Sequence, residues 1–167
     1  MCTVLGCLRE RPSKTFVGEL KMKELWIEID ESIPEDLKDN LLKLAAEVCD
    51  VILTDIQDLA EPEIEEAKIA SSSGQGDIIV LEVFDPDQIK ELKRKGRTVA
   101  VKVTITGRES EDTAIQAAEL SSDYIIIRCS DWRVIPLENL IAKTQGRSKL
   151  LAEVSNSEEA KLALETL

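Results

Sequence analysis

The sequence predicts an α/β protein whose parallel strands curl into a (β/α) barrel-like domain, incomplete at its carboxyl-terminal end. Three observations carry this. Strand-like and helix-like segments alternate with little spare loop. The strands are nearly continuous apolar runs, which suits a parallel sheet covered on both faces. Their starts, near residues 25, 51, 77, 98, 124 and 149, lie about one βα unit apart. An open doubly wound sheet is the alternative architecture.

The elements follow in order. Leu25-Trp-Ile-Glu-Ile29 is a short strand, and Ser32-Ile-Pro-Glu35 supplies a capping box with proline near the helix start. Leu37, Leu41, Leu44 and Val48 then recur at helical spacing and predict one apolar face. A second strand occupies residues 51–55, followed by a polar helix over 62–67. Lys68-Ile-Ala-Ser71 reads as an extra short strand, because residues 72–76 are too few for a helical crossover.

Residues 77–83 form a buried strand; Asp85-Pro-Asp-Gln88 caps the next helix and Gly96 ends it. The remaining elements are strand 98–104, helix 110–120, strand 124–129, helix 136–143, strand 149–154 and helix 156–167. The chain ends inside that helix without an eighth strand, whereas a complete barrel needs about 200 residues or more. Met22 reads as the start of the folded domain, and residues 1–21 as a disordered extension.

Composition narrows the function classes. The formal net charge is −12, and residues 1–21 alone carry +2, so the other 146 residues hold −14. No basic face for nucleic acid is visible, and no apolar run approaches a membrane span. This balance suits a cytoplasmic protein. The four cysteines form no framework; Cys49 and Cys129 sit beside apolar runs as small buried residues. The absence of histidine excludes a Cys–His nucleophile or a Ser-His-Asp triad within the chain and argues against a metal centre.

Candidate chemistry concentrates at strand ends. Glu28, Glu82, Lys102, Arg128 and Glu153 each follow apolar residues near the carboxyl end of a strand, and Asp55 ends a sixth. A charge facing the helix layer would be badly desolvated, so the inward face at the barrel mouth is the tolerable place, where barrel active sites lie. These charges either pair as a polar layer capping the core or handle a substrate. Lys102, between Val101 and Val103, is expected to be desolvated and lowered in pKa, as a Schiff-base former or general base requires. The competing reading holds it charged against Glu82 or Glu153.

Asp131 and Trp132 follow strand 124–129, where an acid could orient a substrate amine or hydroxyl and an indole could wall the pocket. Glu138 reads as a helix-dipole partner. Residues 71–76, Ser-Ser-Ser-Gly-Gln-Gly, form a turn with some anion-loop character, although no dinucleotide fingerprint is present.

The run Asp131-Trp-Arg-Val-Ile-Pro-Leu-Glu-Asn-Leu-Ile-Ala142, read with Val154-Ser-Asn-Ser-Glu-Glu-Ala-Lys161, resembles the archaeal-type, NAD-dependent 3-dehydroquinate synthase family. The resemblance runs from Met22 to Leu167, and family members are roughly twice as long. It implies an NAD-dependent oxidoreductase that turns 2-amino-3,7-dideoxy-D-threo-hept-6-ulosonate into 3-dehydroquinate in aromatic amino-acid biosynthesis. That chemistry needs hydride removal at the amine-bearing carbon, imine hydrolysis and an aldol closure. On this view Lys102 and Asp131 are catalytic, while Arg128, Glu82, Glu153 and Trp132 bind an amino-sugar-acid substrate. Nothing in the residues marks the NAD site. Two alternatives stand beside it: another barrel lyase or isomerase acting on a small anionic sugar acid, and a fragment that needs a missing carboxyl-terminal portion or partner chain.

Overall fold

In the computed structural model, which describes residues 3–10, 21–56, 67–129 and 137–166, eight strands and five helices build one closed sheet with helices outside. The strands are β1 (Thr3–Glu10), β2 (Lys21–Glu28), β3 (Val51–Leu53), β4 (Lys68–Ser71), β5 (Ile78–Leu81), β6 (Thr98–Ile105), β7 (Tyr124–Cys129) and β8 (Lys149–Val154). The helices are α1 (Glu35–Val48), α2 (Pro86–Arg94), α3 (Arg108–Glu119), α4 (Leu137–Thr144) and α5 (Ser157–Thr166). From β2 to β8 every neighbouring pair is parallel. The parallel series is thus a (β/α) barrel one strand short of eight, as the sequence predicts.

The remaining place is taken by a strand the sequence reading does not contain. Thr3–Glu10, expected as part of a disordered extension, is β1, pairing antiparallel with β2 along its whole length and with β8 at Val4–Gly6. The pairing satisfies backbone groups that both edges of the parallel series would otherwise expose. It joins segments far apart in sequence, a relation that local periodicity does not report.

Strand alternation divides the core into an inside and an outside. Trp26, Val51, Leu53, Ile78, Val80, Ala100, Tyr124, Ile126 and Leu151 pack together within the barrel. Their neighbours Ile79, Val99, Val101, Ile125, Ile127 and Leu150 face outward, against Ile89 of α2, Ala114 and Ala117 of α3 and Leu140 of α4. A smaller group, Ile29, Ile33, Leu42, Ala45 and Ile52, seats α1.

α1 departs from expectation at its cap and its face. Pro34 occupies the cap position without a side-chain hydrogen bond, so Ser32 makes no capping box; Ser32 instead bonds to Asp30. Leu37, Leu44 and Val48 are exposed, and the buried stripe is Leu42 and Ala45 with Leu41 alongside. Apolar residues surround much of this helix, and its docking against β2 and β3 selects one stripe from two. By contrast Asp85 caps α2 as predicted, its Oδ1 accepting from the backbone N–H groups of Asp87 and Gln88 at 3.0 Å each. The predicted helix over 62–67 falls almost wholly outside the described residues.

A repeated acidic clamp fixes the amino-terminal end of the barrel. Asp50, Asp77 and Asp123 immediately precede or begin the approach to β3, β5 and β7. Their carboxylates accept the backbone N–H of Leu25 (2.9 Å), Ile69 (2.9 Å) and Val99 (2.8 Å) on the preceding strand. In return their own N–H groups donate to the carbonyls of those same three residues. Each clamp sets the register between adjacent parallel strands. Among the described residues, no helix is long and apolar enough to cross a membrane.

Candidate active site at the barrel mouth

The inward-facing side chains stack in three levels. At the amino-terminal end Glu24, Tyr124 and Lys149 form a closed group. The tyrosine hydroxyl donates to Glu24 Oε1 at 3.1 Å, and Lys149 Nζ meets Glu24 Oε2 at 3.1 Å while lying 5.1 Å from the Tyr124 ring centroid. Burial, reinforced by the Glu24 charge, pushes the tyrosine hydroxyl up to about 12. Above it the apolar level packs Trp26 edge-on to Tyr124, ring centroids 4.8 Å apart. This level separates the closed amino-terminal group from the mouth.

Two residues further along each strand, alternation brings the next inward side chains to the carboxyl-terminal mouth. Trp26 leads to Glu28, Val80 to Glu82, Ala100 to Lys102, Ile126 to Arg128 and Leu151 to Glu153. Five of the residues proposed from strand ends therefore share one level. Lys102 Nζ lies 3.0 Å from Glu28 Oε1, across the lumen on β2, and 2.9 Å from Glu82 Oε1, beside it at the end of β5. Arg128 Nε donates to Glu153 Oε1 at 2.6 Å.

Of the two readings of Lys102, the structure supports the charged one. Burial is the largest single influence and acts downward, but hydrogen bonds and charge from Glu82 and Glu28 together outweigh it and hold the ammonium above its ordinary value. The carboxylates come from strands distant in sequence, whereas the valines that desolvate the amine are its chain neighbours. Glu82 is one of the two partners foreseen; Glu153 instead pairs with Arg128. That hydrogen bond, helped by the fields of Glu153, Glu28 and Glu82, raises the guanidinium pKa and keeps it positive.

Asp55 does not join this level. It is held by β4 and the turn after it: Ser71 Oγ donates at 2.6 Å, the N–H groups of Ser72 and Ser73 at 2.8 and 3.0 Å, and the Ser72 hydroxyl completes the set. Burial alone would raise this carboxyl, yet the serine donors prevail and hold it below its ordinary value. The turn over residues 71–76 thus does have anion-binding character, directed at the chain's own carboxylate. Gly76 lies at φ +106°, and a Cβ there would come within 2.9 Å of the Ile69 carbonyl oxygen.

Beside Lys102 a cleft of about 430 Å³ opens between the ends of β2, β3 and β5, lined by Glu28, Asp30, Glu31, Asp55 and Glu82 with Leu53 and Ile56. Its size suits a small metabolite. Its carboxylates favour a group carrying positive charge; Lys102 and Arg128 belong to the mouth beside it and do not line it. Asp131 and Trp132 lie outside the described residues.

Comparison with known proteins places this barrel. Residues 22–167 match the model of the 3-dehydroquinate synthase II N-terminal domain. The chain belongs to the 3-dehydroquinate synthase II family. Similar proteins named 3-dehydroquinate synthase include those of Methanothrix thermoacetophila, 36% identical over 87% of this chain and 42% of the relative. The Methanocaldococcus jannaschii protein is 32% identical over the same shares. That of Methanobrevibacter smithii is 40% identical over 58% of this chain and 27% of its own length. The chain therefore spans less than half the length of the family members it matches.

Proposed function

We propose that this chain forms the amino-terminal barrel of an enzyme converting 2-amino-3,7-dideoxy-D-threo-hept-6-ulosonate to 3-dehydroquinate by NAD-dependent oxidative deamination and cyclisation, in cytoplasmic aromatic amino-acid biosynthesis. The observation that carries the reading is the match of residues 22–167 to this family's amino-terminal domain. The mouth supports it, since it presents cations and carboxylates together, as a substrate with a carboxylate, an amine and a ketone requires.

In this reading Arg128 receives the substrate carboxylate, with Asp131 assigned a catalytic role and Trp132 a substrate-binding one. Lys102 acts as an ammonium rather than a free base. It donates to the carbonyl oxygen on which negative charge gathers during aldol closure, a role that fixed donors in a half-buried site perform well. Glu28 and Glu82 hold it in that state and position. The turn over residues 71–76 does not fit a dinucleotide pyrophosphate, because the N–H groups of Ser72 and Ser73 are spent on Asp55. The role assigned to this barrel is therefore to bind and orient the amino-sugar acid. A complementary carboxyl-terminal portion, continuous or separate, would complete the enzyme.

The test is to supply the folded chain with NAD and the amino-heptulosonate and follow NADH and 3-dehydroquinate in one sample, with and without a carboxyl-terminal portion from a relative. Product in either arm supports the reading. Absence of product in both arms, from folded protein, refutes it.

A further inference from the structure

Glu153 carries an oxygen that finds no hydrogen-bond partner among the described residues. Its side chain is only 9% exposed; Oε1 accepts from Arg128, whereas Oε2 is buried without any hydrogen-bond partner. A buried carboxylate oxygen without a donor is unfavourable and rare in native proteins. The other unpartnered buried side-chain atom among the described residues is Trp26 Nε1; both atoms are themselves covered, but Trp26 lies wholly buried in the apolar level, whereas the Glu153 side chain keeps 9% exposure. Glu153 stands one level higher, at the mouth.

Its partner is arranged in a complementary way. Arg128 is 52% exposed and is fixed through Nε by its bond to Glu153, which orients the guanidinium. A guanidinium held in this manner offers two parallel donors to a carboxylate. Donor fork and acceptor oxygen then stand side by side on adjacent parallel strands β7 and β8.

We infer that Arg128 and Glu153 together read an α-amino-acid head group, the guanidinium taking the carboxylate and Glu153 Oε2 taking the ammonium on the adjacent carbon. This rests on the function proposed above and names the part of the substrate that each group recognises. A paired cation and anion of zero net charge match a zwitterion of zero net charge. Among the described residues, the charged groups at this level are three carboxylates, Glu28, Glu82 and Glu153, against two cations, Lys102 and Arg128. That surplus favours an ammonium over a neutral hydroxyl at Oε2.

Titration calorimetry of the full chain without NAD tests this, using the amino-heptulosonate and its 2-hydroxy analogue. The wild-type chain is expected to prefer the amino ligand at least tenfold. Glu153→Gln, which keeps shape but removes charge, should abolish that preference while changing affinity for the hydroxy analogue by less than threefold. Glu153→Asp, which keeps charge but withdraws the oxygen, should retain part of it. Arg128→Gln should weaken both ligands alike.

A preference that survives in folded Glu153→Gln overturns the inference and leaves the proposed function standing; an ordered water would then be the partner of Oε2. If that variant fails to unfold as a native protein does, undiminished preference in Glu153→Asp is the overturning result. Failure of the wild-type chain to bind either ligand overturns the inference together with the reading beneath it.

Discussion

Replacing Lys102 by methionine isolates what the central ion pair contributes. Methionine keeps the unbranched apolar stem and removes only the charge. Two carboxylates then lose the cation that lies 3.0 and 2.9 Å away. Breaking a fully buried pair from one side costs about 3–5 kcal/mol. Glu82 is 51% exposed, so its share falls toward the ~0–1 kcal/mol of a surface pair. Glu28, at 20%, retains most of the penalty.

We therefore expect a loss of about 2–3 kcal/mol in urea unfolding at pH 7, bounded by those two cases. In a chain of this length that lowers Tm by about 4–12 °C. The double variant Lys102→Met with Glu28→Gln should be more stable than Lys102→Met alone, because one stranded charge is gone. The pH dependence has a definite sign. A lysine raised on folding stabilises fully below its ordinary value of 10.5, and that stabilisation is lost as pH rises through the higher folded value. The gap between wild type and variant should hold from pH 7 to 10 and shrink above. A loss below about 0.5 kcal/mol, of surface-pair size, or a double variant no better than the single one, would refute this account of the mouth.

Other expectations follow from the same geometry. Tyr124 is the chain's one tyrosine, so absorbance at 295 nm should report its ionisation near pH 12 instead of 10, with stability falling across that interval; a midpoint near 10 in folded protein contradicts its burial against Glu24. Asp55→Asn should cost about 1.5–3 kcal/mol at neutral pH, typical of hydrogen bonds to a charged group. Because the Asp55 pKa is depressed on folding, that difference should vanish as pH falls through the folded value, which lies below 3.8. Lys102→Ala and Arg128→Ala should each reduce 3-dehydroquinate formation by the completed enzyme at least a hundredfold; unchanged turnover in both removes these residues from the reaction.

What the sequence could and could not disclose follows from how local each cause is. Asp85-Pro86 announces its helix because cap, proline and first turn are adjacent, and β4 is legible because five residues cannot carry a crossover. The inward level was legible too, since strand alternation alone places Glu28, Lys102 and Glu153 on the face of Trp26, Ala100 and Leu151. That Lys102 is held charged by Glu82 is legible as well, but its contact with Glu28 is not, because that carboxylate arrives from the far side of the barrel. β1 escaped for the same reason: its partners are a hairpin neighbour across a ten-residue interval and β8 near the other end of the chain. The aspartate clamps do carry a sequence signal, an acid just before an apolar strand at Asp50, Asp77 and Asp123. The serines following β4 read as a turn with some anion-loop character; that Asp55 supplies the anion depends on the packing of β3 beside β4.

The most direct test of the claim that the mouth receives the amino-sugar acid is an amide nitrogen–proton NMR titration of the chain with the amino-heptulosonate, without NAD. The account predicts saturable shifts concentrated around Glu28, Glu82, Lys102, Arg128 and Glu153, with Glu24, Tyr124 and Lys149 at the opposite end unmoved. Shifts centred on that opposite end, or none at saturating ligand, would contradict it.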